Sequence, residues 1–447
     1  MDNRKLAFAA IATAMVLHPG DPAQAGGFNL DHQNAAALGA AFAGSEATRS
    51  EAAFAAYNPA AIGGAGRFNL AASVTGVFPD SQYSNANATL LGVAPVAGQS
   101  SSDGTTKSAA VPNLSMSYSP IDKLSLGLVV NTPFGLDTDY SDGSIMRYQA
   151  QRSAFMAVEV TPMVAYEIWP GVVAGAGIRV QYVDLSLTSV IDAGGIAAAS
   201  GIPGFAPGSS DLPASFNGDD TAVGYSLGLQ ASPHPLIDLG IAYLSEIEHN
   251  IHGNSHFRLN SSTAGQTLNG LAGLFAAQSF GTKLDTPATL AMGFRINATD
   301  RLRLLFSERI MFWSNLDIIA LSFNDGATPT ELVTQNWRDT TMTSVGIEFD
   351  VLKSTTLRAG YMYDQSPVRG KFASPRVPDS DRHWISVGAS QAVTEHLSAD
   401  FGLAYAFFQD RQIRLNGAIP ENTFRGSLNA NLNASALAAS LGLRYRF

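Results

Sequence analysis

The run His396-Leu397-Ser398-Ala399-Asp400-Phe401-Gly402-Leu403-Ala404-Tyr405-Ala406-Phe407 decides the fold. Side chains of an extended strand point alternately to its two faces. Leu397, Ala399, Phe401, Leu403, Tyr405 and Phe407 therefore share one face, and Ser398, Asp400, Gly402, Ala404 and Ala406 share the other. A half-buried strand of a soluble sandwich also alternates, but its outer face carries Lys, Glu and Thr. Here the face opposite the large apolar residues is built from Gly, Ala and Ser with one isolated charge. That is the pattern of a strand with lipid on one side and a packed lumen on the other. The closing segment repeats it: Leu437, Ala439, Leu441, Leu443, Tyr445 and Phe447 against Ser440, Gly442, Arg444 and Arg446.

Working outward, about fourteen such segments follow one another from residue 68 to residue 447. The connections alternate. Ser119–Asp122, Trp169–Gly171, Pro233–Pro235, Ala298–Asp300, Val351–Ser354 and Thr394–Glu395 are short, and those between them are long. Short turns at one end and long loops at the other suit a membrane barrel with an even strand number. Trp169, Trp313, Trp337, Trp384 and Tyr182 near segment ends are expected in interfacial girdles. Composition agrees. Of 447 residues, 14% are charged and 46% hydrophobic, where a soluble domain has roughly 25% charged. The net charge of −10 excludes a nucleic-acid partner as an expectation. The absence of cysteine removes disulfides, thiolate metal sites and thiol nucleophiles.

Residues 1–25 read as a signal peptide: Arg4 and Lys5, the apolar run Leu6–Leu17, then Ala23-Gln24-Ala25 as a small-x-small cleavage site. Residues 26–67 are Ala-rich, lack the alternation, and carry Asn58-Pro59-Ala60. In a free tail Phe42, Phe54, Tyr57 and Ile62 would face water, so this segment is expected as a plug, or hatch, inside the barrel of residues 68–447. No later run has 18 consecutive apolar residues, so strands must do the spanning. The fold class expected is all-β: a 14-stranded antiparallel transmembrane β-barrel with an N-terminal hatch.

Two long connections are unusually apolar. Thr188–Thr221 holds Ile202 and Phe205, and Asn250–Asp285 holds Leu268, Leu271, Leu274 and Phe275 at helical spacing. Such surfaces mark a site for an apolar ligand, or two loops packed only on each other. Gly224-Tyr225-Ser226-Leu227-Gly228 matches a hydrolase nucleophile motif, but it lies inside a strand, where Gly and Ser alternate anyway. His249, His252 and His256 are read as solvated loop histidines rather than a metal site, and Asp137-x-Asp139-x-x-Asp142-Gly143 lacks the full spacing and closing Glu of a calcium loop; no cofactor is expected. Strand parity places Arg179, Arg295, Arg303, Arg338, Arg358 and Arg444 inward with Glu159, Glu348 and Asp400. Charges in a lumen need partners, so most of these are expected to be structural pairs.

Four runs in order, Asn58-Pro59-Ala60, Asn131-Thr132-Pro133-Phe134-Gly135-Leu136, Asp364-Gln365-Ser366-Pro367-Val368 and Pro378-Asp379-Ser380-Asp381-Arg382-His383-Trp384-Ile385-Ser386, resemble the FadL/TodX family of outer-membrane transporters for long-chain fatty acids and hydrocarbons. The resemblance implies a low-affinity groove between two extracellular loops, a deeper pocket, and a kinked third strand that opens a lateral gap. It places Arg338 of Trp337-Arg338-Asp339 at the fatty-acid carboxylate, with Arg179 as the next candidate. Gly127, inside the third strand, is the expected kink. The function expected is passive uptake of long-chain fatty acids across the bacterial outer membrane by a monomer. Partners would be the hydrophobic ligand, outer-membrane lipid, and the barrel assembly machinery through Phe447. Neutral or aromatic hydrocarbon as cargo is the alternative on the same fold. A lipid hydrolase using Ser226 and a general porin are rivals of other classes.

Overall fold

The computed structural model describes residues 27–324, 328–417 and 420–447. The expected signal peptide, residues 1–25, lies outside them. Pleating puts the large apolar side chains outside: Phe401, Tyr405 and Phe407 on one strand, and Leu441 and Leu443 on the next, are exposed, while Asp400, Ala404, Ala406, Ala438 and Ser440 between them are buried. Other strands repeat the pattern, with Val223, Tyr225, Leu227 and Leu229 on one and Val345, Ile347 and Phe349 on another exposed, so lipid-compatible residues face outward.

Fourteen antiparallel strands form the barrel. They are β1 (Phe68–Leu90), β2 (Ala109–Ile121), β3 (Leu124–Asp139), β4 (Arg152–Trp169), β5 (Val172–Asp192), β6 (Asp211–His234), β7 (Ile237–Leu244 and Asn250–Phe257), β8 (Gln278–Lys283 and Thr289–Asn297), β9 (Leu302–Met311 and Ile318–Phe323), β10 (Glu331–Thr334 and Thr340–Leu352), β11 (Thr355–Asp364), β12 (Arg382–Ala392), β13 (Leu397–Phe408 and Arg411–Leu415) and β14 (Ser427–Arg446). β1 pairs with β14 from Asn69↔Arg446 to Thr89↔Ser427, which leaves no open edge between first and last strands. The ladder of β5 and β6 continues to Asp192↔Asp211. These two strands are therefore longer than the alternating segments suggest, and the loop expected over 188–221 shrinks to its tip. No described helix is long and apolar enough to cross a membrane.

The strands β7, β8, β9 and β10 are each interrupted, over residues 245–249, 284–288, 312–317 and 335–339. The chain there dips inward and buries Ile247, Leu284, Trp313, Leu316 and Trp337. Two expectations fail, through these dips for Trp313, Trp337 and Arg338, and through the inward parity of the regular strand β12 for Trp384. Trp313, Trp337 and Trp384 are almost fully buried and stand in the lumen rather than in an interfacial girdle, whereas Trp169 is exposed at a turn. Arg338 does not share the inward face of Thr340, Met342 and Ser344. The ladder of β10 begins at Thr340, so parity cannot be carried back to residue 338, and the Arg338 side chain is 45% exposed.

Residues 27–66 fill the interior between these walls. They form α1 (Ala35–Gly39), capped by the Asn34 side chain, and two short 3-10 turns, of which Pro59–Ile62 is capped by Asn58. Nearly every residue from Phe28 to Ala47 is buried. Glu46, fully buried, accepts from Arg309 of β9 at 2.8 Å and from Ser307; Asp31 takes the other arm of Arg309. Asn58 donates to Glu46 O at 2.8 Å and lies against Gly228 of β6, where any Cβ would overlap its side-chain amide. α1 approaches β12 in the same way: Gly39 meets Gly388 backbone to backbone.

Candidate functional site

The third strand is the first element of the site. β3 pairs with β2 only as far as Asn131↔Asn113. Its register with β4 then shifts between Asn131 and Phe134. Pro133 causes the break, since it has no N–H for the ladder. Pairing with the β2 side resumes only beyond the break: Lys107 N donates to Asp137 O at 3.0 Å and Asp139 N to Thr105 O at 2.9 Å. The kink is thus at Thr132-Pro133 and not at Gly127, which stays in regular ladder with Ser117 and Met163 and leaves room for Ile62. The freed backbone is satisfied from inside. Leu30 N donates to Pro133 O and Gly135 N to Phe28 O, both at 2.8 Å, and Gln33 Nε2 donates to Thr132 O at 2.8 Å. Phe28–Leu30 therefore lies as a short strand across the gap. Its start is held by Asp379, whose carboxylate accepts from Gly27 N at 3.0 Å, Ser366 Oγ at 2.7 Å and Arg382 Nη1 at 3.1 Å.

Phe28 also separates two spaces. Its ring meets Phe134, Phe155, Trp313 and Trp337 at centroid distances of 4.8–5.8 Å. On one side is an upper pocket of about 700 Å³, lined by Leu136, Phe155, Leu185, Leu187, Phe216, Leu284, Leu316, Ile319, Leu321, Val333, Trp337 and Val377, with Arg376 in its wall. On the other is a lower cavity of about 750 Å³ between hatch and barrel, reaching Val129, Asn131 and Pro133 at the strand break. Toward the long loops a third space, an outer groove of about 1240 Å³, runs along Val190, Ile191, Ile196, Phe257, Leu274 and Phe275. Glu331 and Phe216 belong to both the groove and the upper pocket.

The groove walls come from the two apolar connections. The loop after β5 forms α2 (Ala193–Ala199), and that after β7 forms α3 (Thr263–Ala272), ended by Gly273 in a left-handed conformation. Ile202 and Phe205 are half-buried against a core of Leu212, Phe216, Phe257, Leu268 and Phe275. The loops do pack on each other, and they also enclose the groove. Leu268 is buried within α3 and Phe275 just beyond it, whereas Leu271 is 73% exposed. The expected stripe breaks: within the helix Leu271 faces solvent, while Leu274 and Phe275, beyond its end at Ala272, turn back to line the groove.

Of the expected basic residues, five are inward and paired. Arg179 reaches Glu159 at 2.8 Å and donates to Ser245 O at 2.7 Å. Glu348 gathers Arg295, Arg303 and Arg358 at 2.7–2.8 Å, and Arg444 holds Asp400 at 2.6 Å and Glu51 at 2.7 Å. Arg179 borders the lower cavity with its charge already neutralised. Arg338 lies outside all three spaces; it donates to Ser366 O at 3.1 Å and faces Asp381 at 3.4 Å. Ser226 sits mid-strand in β6 beside the lower cavity, and among the described residues no general base is hydrogen-bonded to it. His249 is held between Asp220 and Gln181.

Sequence reading missed Arg376. It stands in the β11–β12 connection, outside any alternating strand. Its side chain is buried, its one described hydrogen bond is to Ser153 Oγ at 3.3 Å, and no described carboxylate forms an ion pair with it. Glu331, the acidic residue nearest in charge, is bound instead by Arg425. Burial draws the Arg376 guanidinium down to about 10. A desolvated cation in an apolar wall is suited to receive an anion that arrives with an apolar chain.

The family model described as outer membrane protein transport protein (OMPP1/FadL/TodX) matches residues 19–447. Outer membrane protein P1 of Haemophilus influenzae is 26% identical over 470 residues, covering 98% of both chains. The long-chain fatty acid transport protein of Escherichia coli O6:H1 is 23% identical over 414 residues, covering 89% of both chains. Among solved structures, a Pseudomonas aeruginosa FadL homologue superposes with a TM-score of 0.85 at 23% identity, over 94% of this chain and 100% of that one. The Ralstonia pickettii toluene transporter TbuX gives 0.66 at 17% identity, over 93% and 98%. A match across nearly the whole sequence, together with the barrel just described, makes this chain a member of the OMPP1/FadL/TodX family of outer-membrane transport proteins.

Proposed function

We propose that this barrel carries long-chain fatty acids inward without energy coupling. The ligand is captured in the outer groove, enters the upper pocket with its carboxylate at Arg376, passes the Phe28–Leu30 segment as residues 26–67 yield, and leaves through the break in β3. Burial of the chain supplies the drive, at about 0.8 kcal/mol per methylene. The observation that carries the reading is Arg376: a buried guanidinium without a carboxylate ion-pair partner among the described residues, in a pocket lined mainly by Leu, Phe, Ile, Val and Trp, where the one carboxylate, Glu331, is held by Arg425. A neutral hydrocarbon would leave that charge uncompensated. The resemblance that put the carboxylate at Arg338 is replaced here by Arg376, because Arg338 borders no apolar space.

The test compares oleate with oleyl alcohol on the purified protein. Loss of a charge-assisted hydrogen bond costs about 1.5–3 kcal/mol, so Arg376→Gln should weaken oleate roughly ten- to a hundredfold and leave the alcohol nearly unchanged. Equal weakening of acid and alcohol would reduce Arg376 to a packing residue and favour a neutral cargo.

A further inference from the structure

We propose that the Arg425–Glu331 ion pair is a latch between the outer groove and the upper pocket, opened by the carboxylate of the incoming ligand. Glu331, the first residue of the outer piece of β10, lines both spaces, while Arg425 lines the groove and Arg376 the pocket. Arg425 grips Glu331 directly, with side-chain exposures of only 16% and 23%. Arg425 is itself fixed from behind. Gln149 donates to the carbonyls of Arg425 and Gly426 at 3.3 and 3.1 Å, and Glu421, four residues earlier, accepts from Thr334 N and Oγ at 3.2 and 2.7 Å. The β13–β14 connection is thereby stapled to β10 at this boundary.

The charge count gives the pair its direction. Arg376 feels one carboxylate, Glu331, and one like charge, Arg425. Arg425 takes the Glu331 carboxylate, Glu421 in the same groove is engaged by Thr334, and Arg376 is left with a positive charge that no described carboxylate pairs. A ligand carboxylate supplies the anion that Arg376 lacks. It meets Arg425 first, from the groove, and can replace Glu331 there by exchanging one charge-assisted hydrogen bond for another of the same kind. Glu331 is then free to swing aside, and Arg376 lies next along the path. An alcohol of the same chain cannot make that exchange, so the pair selects acids at the entrance while Arg376 retains them inside. This inference rests on the reading of the upper pocket given above.

The two are separated by following association and dissociation of oleate and oleyl alcohol on the purified full chain in detergent. Tryptophan fluorescence is the signal, since Trp337 lines the pocket. Arg425→Gln should slow oleate association about tenfold, with oleate release and both alcohol rates unchanged. Glu331→Gln should speed oleate association several-fold, because the cation is no longer occupied. Unaltered alcohol binding certifies that each variant is folded. If both variants change acid and alcohol alike, or change neither, while Arg376→Gln still speeds oleate release, the latch is overturned and the pocket reading stands. If Arg376→Gln leaves oleate untouched, the pocket reading fails, and the latch that rests on it fails with it.

Discussion

His32 sits in the hatch between the rings of Phe42 and Trp384, at 5.7 and 5.2 Å, and neither of its ring nitrogens has a described hydrogen-bond partner. Burial lowers its pKa from 6.5 to about 4, with Asp31 opposing and Arg382 assisting. The docked segment thus holds the imidazole neutral, while a released segment binds a proton below about 6.5. Docking is therefore undiminished above that value and weakens as pH falls from 6.5 toward 4. Limited proteolysis within residues 27–66 should accelerate over that window, and His32→Leu should flatten the dependence; an unchanged slope in the variant would assign it to other groups. Residues of this kind were not legible from the sequence. His32 and Arg376 lie in stretches without periodicity, Asp31-His32-Gln33 and Ser374-Pro375-Arg376-Val377, where nothing says which way a side chain points. Arg179, Arg303, Arg358 and Arg444 were legible because each stands on an alternating strand that fixes its direction.

At the scale of elements, parity held where the ladder is regular and failed where it is cut. The fourteen strands could be read because their alternation is a direct record of lipid on one side. The inward dips over 312–317 and 335–339 leave no such record, and Trp313, Trp337 and Arg338 were misplaced with them. For β3, Gly127 offered flexibility that the fold uses only for clearance, while Pro133, six residues later, withholds the donor that matters. The seam that results can be tested directly. Asn29 and Phe134 face each other as an antiparallel pair, flanked by the Leu30–Pro133 and Gly135–Phe28 bonds. This is the non-hydrogen-bonded kind of site, with Cα atoms about 4.5 Å apart, within reach of a disulfide. The native sequence has no cysteine to interfere. Asn29→Cys/Phe134→Cys should stop oleate uptake by cells when oxidised and recover it on reduction. Uptake that ignores the crosslink would place the route elsewhere than past this segment.

At the scale of the whole molecule, the hatch and the inward dips occupy the interior that a porin leaves to water. In planar bilayers the protein should hold ion conductance at the baseline of the membrane, and a steady open level would contradict an interior closed by Glu46, Arg309 and their neighbours. The strand lengths noted above also have a consequence in height. At about 3.3 Å per residue and a tilt near 40°, the 21 residues of β5 rise roughly 50 Å, twice an apolar band of about 25 Å. The surplus lies at the long-loop end, because the opposite end closes in tight turns beside exposed Trp169, Leu352 and Val393. The mouth of the groove therefore stands clear of the hydrocarbon, like a chimney above a roof. On the route proposed above, a molecule that dissolves poorly in water is met beyond the polar layer that would otherwise turn it back, and travels against protein walls until it reaches the break in β3.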